Sequence, residues 1–163
     1  MIARFFRHLV CAYGSSRGVF PAGAQEQLAA AIERAEQGHA GEICFVVETS
    51  LTPLQLGRRM TARERALELF ADLHVWDTAN NSGVLVYLLL ADHAVEILAD
   101  RGLHPGGDAC WPQAAECIRQ GFQAGDALAG CMEAVQAIGE FLRREFPATG
   151  PNPNELPNPI RLL

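Results

Sequence analysis

The sequence contains no lysine, so all 13 of its basic side chains are arginines. They are outnumbered by 19 acidic side chains, which gives a formal net charge of -6 at pH 7. Proteins that bind nucleic acid normally carry a clustered basic face, and an acidic chain does not fit that pattern. We therefore predict that the protein has no nucleic-acid partner.

Paired cysteines and long apolar runs are missing as well. The five cysteines contain no Cys-x-x-Cys pair, so they indicate neither a disulfide framework nor a zinc knuckle. The apolar run from Val84 to Ala91 has eight residues, whereas a membrane-spanning helix needs about 20. Arg7 and His8 interrupt the apolar N-terminus, where a signal peptide would require an unbroken run. We expect a cytoplasmic protein with reduced thiols and no transmembrane segment.

Familiar catalytic motifs are also absent. None of the four serines at positions 15, 16, 50 and 82 lies in a Gly-x-Ser-x-Gly context, so no serine nucleophile is indicated. The chain has neither of the two common glycine-rich phosphate-binding loops. The residues alone therefore name no reaction.

What the sequence does contain is the pattern of one mixed α/β domain. Three apolar runs predict strands, at residues 43–47, 84–91 and 95–100. Thr61 and Glu64 have the spacing of a capping box, which predicts the start of a helix over residues 61–73. A right-handed crossover through this helix makes the first two strands parallel. Asp92 and His93 then predict a tight hairpin, which makes the third strand antiparallel.

Three segments follow from this pattern. Residues 1–20 form an N-terminal segment, residues 21–146 form the α/β domain, and residues 147–163 form a tail. Asp126 is the predicted N-cap of the domain's last helix. The tail contains five prolines in 17 residues, so we expect it to have no regular structure of its own.

The predicted topology sorts the polar residues to two ends of the sheet. The first pole lies where the first two strands start and the third ends, and it collects His39, Glu42, Asp77, Asn80, Asn81, Asp100 and Arg101. The second pole, at the opposite end, collects Glu48, Asp92 and His93.

Ca²⁺ and Mg²⁺ prefer oxygen ligands, and the first pole is the richer in carboxylates and amides. We predict a divalent-cation site formed by Asp77, Asn80, Asn81 and Asp100, with an affinity on the order of 10⁻⁴ to 10⁻³ M. The second pole is an alternative, because ligands of open α/β sheets favour the carboxyl ends of parallel strands. A further alternative is that these side chains only cap turns and form surface ion pairs.

Several stretches resemble the TPM domain family over roughly residues 20 to 163, following one short bacterial branch. They are GEICFVVETSL, RALELFADLHVWDTANNSGVLVYLLLADHAVEILADRGL, FQAGDALAGCMEAVQAIGEFLRREFP and NELPNPIRLL. Asn81 and Gly83 match the family's N-x-G-V-L motif, and Asp77 matches the WDT segment of this branch. A second family segment, which runs from an aspartate through Val-Glu-Ile to Asp-Arg-Gly, is matched by Asp92, Glu96, Asp100 and Gly102. The resemblance implies a three-layer α/β/α domain with a small mixed sheet that contains one antiparallel hairpin.

The resemblance also implies a range of functions. Some relatives are linked to divalent-cation binding, one to acid phosphatase activity, one acts as a receptor accessory protein, and many bacterial members are encoded beside LemA-type proteins. We expect a non-catalytic accessory or binding module, and a metal-dependent acid phosphatase is the alternative. This chain departs from the family at His93, where arginine is commoner, and at Asn158, where relatives have aspartate. We also expect it to lack the signal peptide and membrane anchor that the resemblance implies for many relatives.

Overall fold

The computed structural model describes residues 2–13, 16–103, 110–148 and 155–163. Its centre is a mixed sheet in the order β3-β2-β1-β4. The strands are β1 (Glu42–Glu48), β2 (Gly83–Leu89), β3 (Ala94–Ala99) and β4 (Arg161–Leu162). β1 is parallel to β2, and β3 is antiparallel to β2, as the sequence predicts.

The predicted hairpin between β2 and β3 is confirmed. A 3₁₀ turn over Leu90–Asp92 ends at His93, whose φ of 51° lies in the left-handed region. Histidine enters this region more readily than most side chains do. The turn brings Ala94 opposite Leu89 and fixes the register of the whole hairpin.

Helices cover both faces of the sheet. They are α1 (Ile2–Tyr13), α2 (Ser16–Val19), α3 (Ala22–Ala35), α4 (Pro53–Gly57), α5 (Ala62–Asp72), α6 (Cys110–Ala124) and α7 (Ala127–Glu145). The predicted capping box at Thr61 and Glu64 starts α5, and Asp126 caps α7 through the backbone N–H of Ala129. A second capping box, between Thr52 and Gln55, starts α4.

Alternate side chains of the central strands enter two separate cores, which makes the domain a three-layer α/β/α structure. Ile43, Phe45 and Val86 pack with α3, α6 and α7 in the larger core. Val46, Leu85 and other side chains of the opposite face pack with α5 in the smaller core. All seven residues of β1 and of β2 are buried, which explains their nearly uninterrupted apolar sequences.

The prediction that the tail has no regular structure is wrong for its last residues. Arg161–Leu162 pairs with Val46 and Val47 as β4, a parallel edge strand. Leu156 and Ile160 are buried and hold the described part of the tail against the domain. Proline is compatible with an edge strand when it stands outside the paired residues, as here.

The N-terminal segment is largely helical over its described residues, with α1 contacting the turn between β2 and β3. Among the helices that the structure describes, none combines the length and the apolar character that crossing a membrane requires.

Candidate functional site

The two segments that carry the family resemblance meet at the first pole of the sheet. The backbone N–H of Asp100 donates to the carbonyl of Gly83 at 2.9 Å, and the N–H of Gly102 donates to the carbonyl of Asn81 at 3.0 Å. The guanidinium of Arg101 donates to the side-chain oxygen of Asn81 at 3.1 Å. These bonds join the loop before β2 to the turn after β3.

The two segments approach each other so closely that only glycine fits at position 102. A Cβ atom there would lie 2.5 Å from the carbonyl oxygen of Asn81 and 2.8 Å from that of Asn80. Asn81 itself has a φ of 51°, which asparagine tolerates better than most residues. The loop therefore presents two consecutive carbonyl oxygens towards the 100–102 turn.

Asp100, two residues before Gly102, is a buried carboxylate with 9% of its surface exposed. Its Oδ1 accepts the backbone N–H of Arg101 at 2.7 Å. Its Oδ2 is buried and has no hydrogen-bond partner among the described residues. A buried carboxylate oxygen without a partner is costly, so a donor or a cation at this position would stabilise the site.

Of the four predicted ligands, Asp77 is the least connected to this network of contacts. It is exposed, and within the described residues its side chain makes no hydrogen bond or ion pair. Its backbone N–H donates to His74 in the turn after α5. The same described residues contain no group of three or more His, Cys, Asp or Glu side chains placed to hold a metal ion. A site at this pole would therefore use backbone and amide oxygens beside the Asp100 carboxylate.

At the second pole, Asp92 is surrounded by basic side chains from α1. Arg4 donates to both of its carboxylate oxygens, Arg7 donates to Oδ1, and Nε2 of His8 lies 3.0 Å from Oδ1. Burial alone would raise the pKa of Asp92, but the hydrogen bonds from Arg4, Arg7 and His8 together hold that pKa well below its usual range. Asp92 thus anchors the N-terminal helix.

Glu48, the other carboxylate of the second pole, is also engaged. Arg65 of α5 contacts both of its oxygens, and the hydroxyl of the buried Tyr87 donates to Oε2 at 2.7 Å. Burial and the neighbouring Glu48 carboxylate raise the pKa of Tyr87 far above its usual range, so this phenol stays protonated. His93 is exposed at the hairpin turn. Every carboxylate oxygen at this pole already contacts an arginine, so the second pole fits a cation less well than the first.

Sequence reasoning missed a half-buried acid near the first pole. Glu36, just after α3, accepts the backbone N–H of Ile43 at 2.9 Å and a hydrogen bond from the amide of Asn158. Burial, with a smaller contribution from the charge of Glu42, raises the pKa of Glu36 to about 7. An aspartate at position 158, which the family resemblance leads one to expect there, would bring a like charge to Glu36, whereas Asn158 donates to it. The departure from the family pattern at Asn158 is therefore the sequence feature that could have indicated Glu36.

We expect the stability of the domain to fall as pH rises through the titration of Glu36. The folded state keeps a proton up to about pH 7 that the unfolded chain releases near 4.5, so the loss occurs between these values. Because Glu36 is partly exposed, we expect a loss of only about 1–2 kcal/mol. Glu36→Gln should remove this pH dependence and be the more stable protein at about pH 8.

Urea unfolding of the native chain and of Glu36→Gln across this pH range is the measurement. Glu26→Gln, at an exposed position on α3, is the matched control and should keep the native pH dependence. If Glu36→Gln and the native chain lose stability in parallel, the proton is not bound at Glu36.

The family model for the TPM domain matches residues 15–141, which include the whole of the first pole. This chain belongs to the TPM domain family. No curated protein matches it significantly.

A solved structure of the same fold supports the assignment to the TPM domain family. It is the NMR structure of the BA42 protein from the psychrophilic bacterium Bizionia argentinensis, which is 26% identical to this chain with a TM-score of 0.77. The match covers 88% of this chain and 95% of the other. The TPM domain match itself ends within α7, so β4 lies beyond the matched residues.

The two glycines of the TPM family motifs, Gly83 and Gly102, have a structural role in this chain. A Cβ atom on Gly83 would lie 1.9 Å from the carbonyl oxygen of Val75, and the corresponding clash at Gly102 involves Asn80 and Asn81. Both glycines allow the loop that precedes β2 to lie against its neighbours. The two motifs therefore build the first pole by close backbone packing.

Proposed function

We propose that this TPM domain is a non-catalytic binding module that holds a divalent cation, Ca²⁺ or Mg²⁺, at the first pole. The observation that supports the proposal best is the buried Asp100 carboxylate, whose Oδ2 lacks a hydrogen-bond partner among the described residues. The carbonyl oxygens of Asn80 and Asn81 lie against the adjoining turn. Carboxylate and carbonyl oxygens are the ligands that these hard cations prefer.

The composition of the proposed site favours weak binding. Asp100 supplies one buried charge, and Asp77 supplies a second only if its exposed side chain turns towards the site. Arg101 places a positive charge beside Asn81, which opposes a cation. We therefore propose a water-rich site with a Kd on the order of 10⁻⁴ to 10⁻³ M.

Titration with Ca²⁺ and with Mg²⁺, followed by calorimetry and by amide NMR shifts, tests the cation site. We expect shifts at residues 80–83 and 99–102 at millimolar ion. Asp100→Asn should weaken binding by about tenfold or more, because it removes the buried charge. Asp77→Asn should weaken it by a smaller factor.

Asp126→Asn is the matched control, because it removes a carboxylate at the N-cap of α7, and asparagine caps a helix about as well. It should leave the titration unchanged. If millimolar ion causes no shift at the first pole, or if Asp100→Asn binds as tightly as the native chain, the site does not exist.

The alternative function, a metal-dependent acid phosphatase, would use the same pole. Release of phosphate from p-nitrophenyl phosphate, lost in Asp100→Asn but not in Asp126→Asn, would replace the binding module with an enzyme. We expect no such release. Co-purification from the native host would identify a protein partner, and LemA-type proteins are the first candidates.

A further inference from the structure

The N-terminal helix α1 turns its polar face towards the domain. Arg4, His8 and Cys11 are its least exposed described side chains, and their spacing places them on one side of the helix. His8 accepts the backbone N–H of Leu51 through Nδ1, and its Nε2 lies near Asp92. Arg4 donates to the carbonyl of Met60 and to Asp92. Polar contacts therefore hold the helix in place.

The opposite side of α1 is apolar and faces outwards. Its large exposed side chains, with their exposed fractions, are Ile2 (74%), Phe5 (41%), Phe6 (58%), Leu9 (44%) and Val10 (68%). A surface helix of a globular protein normally has the reverse arrangement, with its apolar side buried. A contiguous exposed apolar patch of this kind marks an interaction surface.

The surroundings of this apolar side are basic, although the chain as a whole is acidic. No acidic residue occurs in residues 1–25 or in residues 50–63. Arg59 lines a surface depression together with Arg4 and Phe5, and its neighbour Arg58 is exposed. The Asp92 carboxylate is shared by Arg4 and Arg7, so one negative charge meets two positive ones.

We propose that α1 binds the surface of an anionic lipid bilayer. The apolar side chains would enter the boundary between headgroups and acyl chains, while Arg58 and Arg59 contact the lipid phosphates. Amphipathic helices bind membranes by this combination of apolar burial and attraction to anionic lipid. The helix lies on the membrane without crossing it.

Two features of this surface favour a bilayer over a protein partner. A second copy that packed α1 against α1 would bring two sets of arginines together, and like charges at an interface are repulsive. The apolar side chains project from a convex helix, whereas a partner helix docks into an apolar groove. A bilayer accepts a projecting helix without a preformed groove.

Co-sedimentation with vesicles tests the proposal on the full chain. One set contains phosphatidylcholine alone, and the other contains equal parts of phosphatidylcholine and phosphatidylglycerol. We expect binding to the anionic vesicles only. Phe6→Ser/Val10→Ser should weaken it by about tenfold or more, through lost apolar burial. Arg58→Gln/Arg59→Gln should weaken it by about 25-fold, since each basic residue near an anionic surface contributes about fivefold.

Leu67→Ser removes an equally exposed apolar side chain, on α5, and is the matched control that should bind as the native chain does. Because the substituted side chains face outwards, circular dichroism and the Tm should stay unchanged in every variant. Absence of binding to anionic vesicles overturns the proposal, as does native binding by Phe6→Ser/Val10→Ser. If light scattering shows a dimer that Phe6→Ser/Val10→Ser dissociates, and the native chain does not bind vesicles, the surface binds a second copy of the chain.

Discussion

Gly83→Ala should destabilise the domain by about 3 kcal/mol or more, a large part of the 5–15 kcal/mol that stabilises an ordinary domain. The added Cβ would lie 1.9 Å from the carbonyl oxygen of Val75, which is backbone and cannot rotate away. Either β2 or the turn after α5 must shift. Gly83 starts the central strand β2 and accepts the N–H of Asp100, so a shift would also disturb the first pole.

Urea unfolding measures this effect, and Gly23→Ala provides a control of opposite sign. A Cβ on Gly23 meets nothing within 4 Å, and Gly23 lies in α3. Alanine there should stabilise the domain by about 0.5–1 kcal/mol. A Gly83→Ala protein as stable as the native chain would show that the Val75 turn yields easily.

The sequence predicts the central strands and α5 well, because these elements depend on local signals. The apolar run of β2 and the Thr61–Glu64 capping box occur within short segments, and His93 accepts the left-handed turn between β2 and β3. β4 could not be predicted in the same way. Its pairing with β1 depends on the burial of Leu156 and Ile160 against parts of the domain that are distant in sequence. The prolines of the tail mask that signal.

The sequence predicts the end of the sheet at which the candidate site lies, but not which side chains contribute to it. Strand directions alone bring Asn81 and Asp100 to one pole, and the structure joins them through Gly102 and Arg101. The charge of Asp77 predicts a ligand, but the orientation of its side chain depends on the path of the loop, which no spacing rule gives. The arginines on Asp92 could not be predicted because they belong to α1, a helix whose inward side is polar.

Arg65→Met should destabilise the domain by about 3 kcal/mol, because it leaves the carboxylate of Glu48 buried without its cationic partner. The side chain of Glu48 is 7% exposed and that of Arg65 is 17% exposed. Of the contacts that the described residues make to Glu48, only the hydrogen bond from Tyr87 would remain. Methionine keeps most of the apolar stem of arginine, so the lost charge dominates the effect.

Adding Glu48→Gln to Arg65→Met should recover most of the lost stability, because the neutral amide still accepts from Tyr87 and no buried charge is left unpaired. The double-mutant cycle, measured by urea unfolding, therefore should give a coupling energy of about 2 kcal/mol. Arg63→Met is the control, since its pair with Glu96 is exposed and should contribute at most about 0.5 kcal/mol. Additive effects of Arg65→Met and Glu48→Gln would mean that the pair adds nothing beyond the packing of each side chain, and that the second pole keeps its shape without it.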